Sequence, residues 1–427
     1  MLYFAPYLFA KTCGVGRRRP ARASMYVSSN RLCDPKNEGK HCGYPGRQRK
    51  RIIVRPVQAV ILCILCVPCG LCLLLAAQDW APRNFSRIDW QPTRAVEGAS
   101  YVGTNTCAKC HSEQARSQPL SPMGLALQRG KDTQVLRSHP RLTFRAGPFA
   151  YTIECDGDRV IYQVSDGQHT ISEPVLAAFG LGDAGQTYLL QHEGFYYESR
   201  VSFFNDVRSL DFTLGHPRKI PESLEDAVGN KVSRGKAVLC FACHSTASVK
   251  GTTLQLDRMI PGITCEGCHG PGGKHVTAME SGVHKEPSIF NPGKLQAGDL
   301  VEFCGSCHRG SFQVELTGMS GIETVRFQPH RLTGSRCFRP QDPRIGCLAC
   351  HNPHQSRSRD AAFYDAKCLA CHPAVSTEPT SGQSVSACPV GKKLCTDCHM
   401  PKFVLPGGHL EFTDHRIRIA RTKAFPD

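Results

Sequence analysis

The 427-residue sequence has only one long apolar run, and its first 77 residues are almost without acid. With a single run of membrane-spanning length, a polytopic membrane protein is excluded. Residues 1–77 hold 13 Lys and Arg against only Asp34 and Glu38, a net of +11 out of the +16 of the whole chain. The basic balance therefore belongs to a leader and not to a folded face, so it is no sign of nucleic-acid binding. Disorder is excluded as well, because 41% of residues are hydrophobic and only 21% charged. The chain is also far too long for its 24 Cys to be a disulfide mini-scaffold.

The apolar run, residues 57–77, follows the basic stretch Arg47-Gln48-Arg49-Lys50-Arg51 and precedes Gln78-Asp79-Trp80. This is the layout of an export signal. The run fits either a cleaved signal peptide or an uncleaved N-terminal membrane anchor. Cys63, Cys66, Cys69 and Cys72 recur in it at i+3, where small apolar side chains suit a signal segment better than a metal site. Residues 1–56 read as a basic leader that does not fold.

Beyond residue 78 the pattern Cys-x-x-Cys-His occurs seven times: Cys107/Cys110/His111, Cys240/Cys243/His244, Cys265/Cys268/His269, Cys304/Cys307/His308, Cys347/Cys350/His351, Cys368/Cys371/His372 and Cys395/Cys398/His399. This is the attachment signature of haem c. Two thiols one helical turn apart bind the two vinyl groups, and the next residue offers its imidazole to the iron. Structural zinc needs paired C-x-x-C but no fixed following His, and a thioredoxin-like pair would not occur seven times. Seven covalently attached haems are the expected cofactors, in an extracytoplasmic or periplasmic protein. Of the 24 Cys, 14 lie in these motifs and seven in the leader, leaving Cys155, Cys337 and Cys388. Cys337 and Cys388 form either one disulfide or two free thiols.

Motif spacing divides the chain. The first motif stands alone within 78–139, and six crowd into 233–427. Between them, residues 140–232 show strand alternation with turn dipeptides Asp156-Gly157 and Asp166-Gly167, and a hairpin is expected around His192-Glu193-Gly194. The six-motif part is rich in Gly and Pro and poor in long helical periods. Its core is expected to be built on haem faces, with short helices starting at each motif and stopping at His269-Gly270-Pro271, His351-Asn352-Pro353, His372-Pro373 and Met400-Pro401. The expected fold is mainly α, a haem-nucleated cytochrome of short helices and long loops with a small antiparallel β insertion.

The segments Tyr101–His111, Cys265–His275, Cys347–His354, Cys395–Lys402 and Phe412–Ile417 resemble multihaem cytochromes of the cytochrome c-554 and hydroxylamine oxidoreductase group, across most of residues 100–420. The resemblance implies electron transfer through closely stacked haems, most with two His ligands, between donor and acceptor redox proteins. It also points to His275, His354, His409 and His415 as second axial ligands. Met123, twelve residues beyond His111, is either the second ligand of the first haem or core filler; thioether ligation would raise that potential. His284 and His330 are open between ligand and loop residue, His216 is a weaker candidate, and His139, His169 and His192 go with the β-rich part. Two functions fit: an electron conduit with every iron six-coordinate, or a multihaem oxidoreductase with one open iron acting on a small nitrogen or sulfur compound. No C-x-x-C-K variant and no compact acid/base constellation is present, so the conduit is the expected function.

Overall fold

The computed structural model describes residues 100–427 apart from 157, 283–287, 373–387, 389–390, 421–423 and 426–427. The leader and the apolar run 57–77 lie outside the described residues, as does His284. Among the described residues no helix is long and apolar enough to cross a membrane.

Strand alternation in the β-rich part produces far more sheet than an insertion. Nine strands pair antiparallel: β1 (Leu127–Gln128), β2 (Arg141–Ala146), β3 (Phe149–Asp156), β4 (Arg159–Ser165), β5 (Thr170–Phe179), β6 (Gln186–His192), β7 (Phe195–Phe204), β8 (Ser209–Phe212) and β9 (Gly229–Val232). Seven of them run in the order β2 to β8, with β1 on β5 and β9 on β7. β2 returns to contact β8, so the sheet curls into a nearly closed barrel. Irregular register at Val175/Ala177 and Thr187/Leu189 marks bulges that help it bend. The β6–β7 turn falls where His192-Glu193-Gly194 predicts it, with Glu193 at φ 48° and Gly194 at φ 79°, the left-handed pair that a two-residue hairpin turn needs.

The described residues are 34% helical and 24% strand, and the barrel dominates the architecture. The expectation of a mainly α fold is corrected accordingly. Its physical cause is the alternation in β3, where Phe149, Tyr151 and Ile153 are buried in turn, and in β4, where Val160, Tyr162 and Val164 are. These side chains fill a core inside the barrel with Tyr188, Leu190, Val201 and Phe203. A core of that size is self-sufficient and needs no haem face.

A second core joins the sheet to the haem motifs. Leu189 and Val232 pack on Ala237, Val238, Phe241 and Ala242, the apolar side of the helix Arg234–His244 that carries the second motif. Ser233 caps this helix by accepting the Lys236 N–H. The other motif helices are short: Thr104–Ala108, Cys265–His269, Cys347–Cys350, Ala361–Leu369 and Cys395–His399, with Ala297–His308 the longest among them. Those at Cys265, Cys347 and Cys395 stop at the Gly and Pro signals read from the sequence.

Candidate haem-binding site

Each motif presents two cysteines about one turn apart followed by its histidine. A ligating imidazole is oriented by the partner of its other nitrogen. The Nδ1 of His244 faces the Ala126 carbonyl at 3.2 Å, that of His269 faces Phe290 O at 2.9 Å, and that of His399 faces Arg418 O at 2.9 Å. With Nδ1–H donated to a carbonyl, Nε2 is left as the free lone-pair nitrogen that iron requires.

Three motif histidines face a second imidazole from elsewhere in the chain. The ring centres of His111 and His275 are 6.5 Å apart with planes at 24°. His269 and His354 stand at 6.1 Å and 8°, and His351 and His415 at 6.2 Å and 36°. Metal–imidazole bonds of about 2 Å, with each ring centre about 1 Å beyond its nitrogen, put two axial rings about 6 Å apart. The observed spacings are those of ring pairs with room for one iron between them, so the residues present fit the group.

Buried carboxylates fix these positions. Glu266, in the third motif, accepts N–H groups from Val102, Gly103 and Gly272 at 2.8–2.9 Å and so ties the third motif to the chain entering the first. Asp365, three residues before Cys368, accepts the N–H groups of Leu394 and Cys395 at 2.8 Å. These bonds, the one from Cys395 foremost, hold its carboxyl below the usual range. Asp414, fully buried next to His415, is gripped by Arg331 at 2.8 and 3.0 Å and by Arg418 at 2.6 Å. Burial pushes its carboxyl up, but these cations outweigh that and hold it low. Sequence reading missed Glu266, Asp365 and Asp414. The only available signal was an acid placed within or beside a motif.

The thiols show which motifs are neighbours. Cys107 of the first lies against Cys265 of the third. Cys243 of the second lies against Cys307 of the fourth, and Cys268 of the third is also close to Cys307. Cys304 of the fourth meets Cys347 of the fifth, Cys350 approaches Cys368 of the sixth, and Cys368 meets Cys395 of the seventh. All seven motifs thus form one connected series: first, third, fourth, fifth, sixth, seventh, with the second attached at the fourth.

The motif thiols differ in exposure. Cys110 is exposed, as are its neighbour His111 and, in the last two motifs, Cys371 and Cys398. The cause is local: the helix Thr104–Ala108 buries none of its side chains and ends before Cys110. Cys107 alone of that pair is drawn inward, by its contact with Cys265.

The remaining candidates are placed elsewhere. Both nitrogens of His409 face carboxylates, Asp206 at 2.9 Å and Asp211 at 3.0 Å, and its ring lies 4.1 Å from that of Phe204; neither nitrogen is turned toward a motif. Met123 uses its carbonyl to accept the N–H of Ile263 and of Ala126, and the ring opposite His111 is that of His275. His330 contacts Ser311 Oγ at 3.3 Å. His216 lies 3.5 Å from Glu198, His192 is 2.7 Å from Glu173, His169 is 3.8 Å from Asp166, and His139 packs on Phe203. No imidazole of the described residues stands opposite His244, His308, His372 or His399 at axial spacing. Cys337 and Cys388 are not bonded to each other; Cys337 lies instead near the motif thiols Cys350, Cys368 and Cys371.

Residues 215–270, which span the second and third motifs, match the family described as cytochrome c554 and c-prime. The multiheme cytochrome MtrA of Shewanella baltica (strain OS185) is 23% identical over 200 residues, covering 42% of this chain and 52% of that relative. The match thus spans about half the length of the relative. No solved structure matches the chain. Repeated haem c signatures, paired imidazoles at axial spacing and these likenesses agree, and the chain is a multihaem c-type cytochrome.

Proposed function

We propose that this cytochrome is an extracytoplasmic electron conduit with seven haems, one on each motif. The observation that carries the reading is the three facing imidazole pairs at 6.1–6.5 Å, set in a series of neighbouring motifs. In this reading His275, not Met123, is the second axial ligand opposite His111. His354 serves opposite His269, and His415 opposite His351. When bound, the haem irons supply reversible one-electron chemistry. The chain's own residues set the distances between irons, orient the axial rings through backbone carbonyls, and keep water from the buried motifs. The basic leader and apolar run support export, since covalent haem attachment of this type belongs to an extracytoplasmic compartment.

The partners in this reading are donor and acceptor redox proteins, with no role for nucleic acid. Membrane attachment would come through residues 57–77. One partner meets the sixth and seventh motifs through a negatively charged face. Residues 336–402 carry nine Lys and Arg against five acids; Arg336, Arg339, Arg357, Lys367, Lys392, Lys393 and Lys402 are exposed there, together with Cys371, His372 and Cys398.

A pyridine haemochrome assay counts the haems, and seven are expected. EPR of the oxidised protein should show low-spin signals from the three haems with facing imidazoles. A high-spin signal that moves on adding nitrite, hydroxylamine or cyanide would replace the conduit with an oxidoreductase that uses an open iron.

A further inference from the structure

The second motif differs from the others in its surroundings, because its helix lies on the outer face of the barrel. Phe179, Leu189, Glu198 and Lys236 line a cavity that reaches Cys240 and His244. The ring of Phe179 meets that of His244 edge-on at 5.3 Å. Cys240 and His244, two of the three residues that would hold the second haem, belong to the same lining, so Glu198 and Lys236 stand beside the place that haem would take. The wall carries charge: Glu198 Oε2 is 3.5 Å from His216 Nε2 and 3.7 Å from Lys236 Nζ. The His216 side chain is 1% exposed, and its Nδ1 has no hydrogen-bond partner. Burial pushes the Glu198 carboxyl up, but the hydrogen bond and charge of His216 and the charge of Lys236 outweigh it and hold the group below the usual carboxylate range.

We infer that the outer face of the barrel is the seat of the second haem and that Glu198 and Lys236 set its reduction potential by opposed charges. This inference rests on the seven-haem reading. An iron–porphyrin gains one unit of positive charge on oxidation, so a fixed carboxylate beside it stabilises the ferric state and lowers the potential. An ammonium does the reverse. The Lys236 and Glu198 side chains are 21% and 18% exposed, so their charges are screened less than those of fully exposed groups. The series of neighbouring motifs places the second as a side branch at the fourth, so its potential decides whether that branch fills before or after the main line. On this view the barrel is part of the redox machinery.

The test is a potentiometric titration of the full-length holoprotein, followed optically, on Glu198→Gln and Lys236→Met, with Glu173→Gln as a control remote from this cavity. The second haem's one-electron step is identified by its displacement in His244→Met. Glu198→Gln should favour reduction of that haem at least tenfold, about 59 mV for one electron, and Lys236→Met should disfavour it. Opposite signs are what loss of packing alone would not produce. Unshifted steps in both variants, or shifts of the same sign, overturn the assignment. Should Glu198→Gln fail to accumulate, the sign of the Lys236→Met shift decides alone. Mass analysis of the peptide holding Cys240 and Cys243 separates the two levels: a peptide without haem overturns the seven-haem reading itself, whereas a haem-bearing peptide with unmoved potentials overturns only the role of Glu198 and Lys236.

Discussion

Glu266 occupies a variable position of its motif, yet it is 1% exposed and serves three backbone donors. Those N–H groups have no other acceptor once it is gone, and leaving buried donors unsatisfied costs about 1–3 kcal/mol each. Glu266→Ala should therefore destabilise the protein by roughly 3 kcal/mol, measured as a lower midpoint in denaturant, while Glu266→Gln should recover part of it. An unchanged midpoint in Glu266→Ala would show that water replaces the carboxylate. The same variant should loosen the His111/His275 pair, because Val102 and Gly103 lead into the first motif. Asp414 does similar work for His415, whose carbonyl also accepts Ser335 Oγ–H at 3.2 Å. None of these acids stands out in the sequence, since the signature constrains only Cys, Cys and His.

Short helices can carry the motifs because their ends are satisfied from outside. Asp365 on the helix Ala361–Leu369 holds the N–H groups where Cys395–His399 begins, so one element starts the next. The facing imidazole pairs are likewise relations between elements: His275 sits on the helix Gly273–Glu280, remote in sequence from His111. Replacing His275, His354 or His415 singly by Ala should leave the haemochrome count unchanged and convert one low-spin EPR signal to high-spin, with imidazole in the buffer restoring it. A variant that keeps every low-spin signal of the wild type would remove that residue from the ligand set. At the C-terminus, the strands Lys402–Val404 and Glu411–Thr413 pair, and His409 in their turn is held by Asp206 and Asp211. Burial raises the Asp211 carboxyl, but its bonds to Arg218 and His409 hold it low. A carboxylate whose folded value lies below its unfolded one adds stability above the unfolded value and loses it as pH falls through the folded one. Asp211→Asn should therefore lower the melting temperature at neutral pH, and the difference from wild type should close as the pH falls through and below the usual carboxylate range. A gap that persists there would mean that packing, not charge, holds the hairpin.

Over the whole molecule, net charge beyond the leader is only about +5, and most of that excess belongs to residues 336–402. Asp365 points inward, Asp342 is engaged by Arg344 at 2.7 Å, and Lys367 lies 5.2 Å over the Phe363 ring. The surface near the sixth and seventh motifs is therefore more positive than its sequence balance. Electron exchange with a carboxylate-terminated electrode should slow about tenfold when Lys367, Lys392 and Lys393 are changed together to Glu, and its dependence on salt should flatten. Equal rates for both proteins would place the docking face elsewhere.

The seven haem motifs were fully legible in the sequence, because haem attachment fixes both residue type and spacing within five positions. The strands of the β-rich part were legible too, through alternation and turn residues. Local pattern could not reveal that these strands curl until β2 reaches β8, since closure depends on bulges and on pairing between distant segments. Nor could it show that Cys110 stays at the surface while Cys107 turns toward the third motif. It could not separate His415 from His409 either. Both follow the last motif at similar distance, yet Asp414 anchored by Arg331 turns one toward His351, while Asp206 and Asp211 hold the other. The sequence by itself determined the cofactor chemistry. Only the tertiary structure decided which rings face each other, which motifs are neighbours, and that a half-buried carboxylate on a barrel strand lies beside the second motif, because each is a relation between residues far apart in the chain.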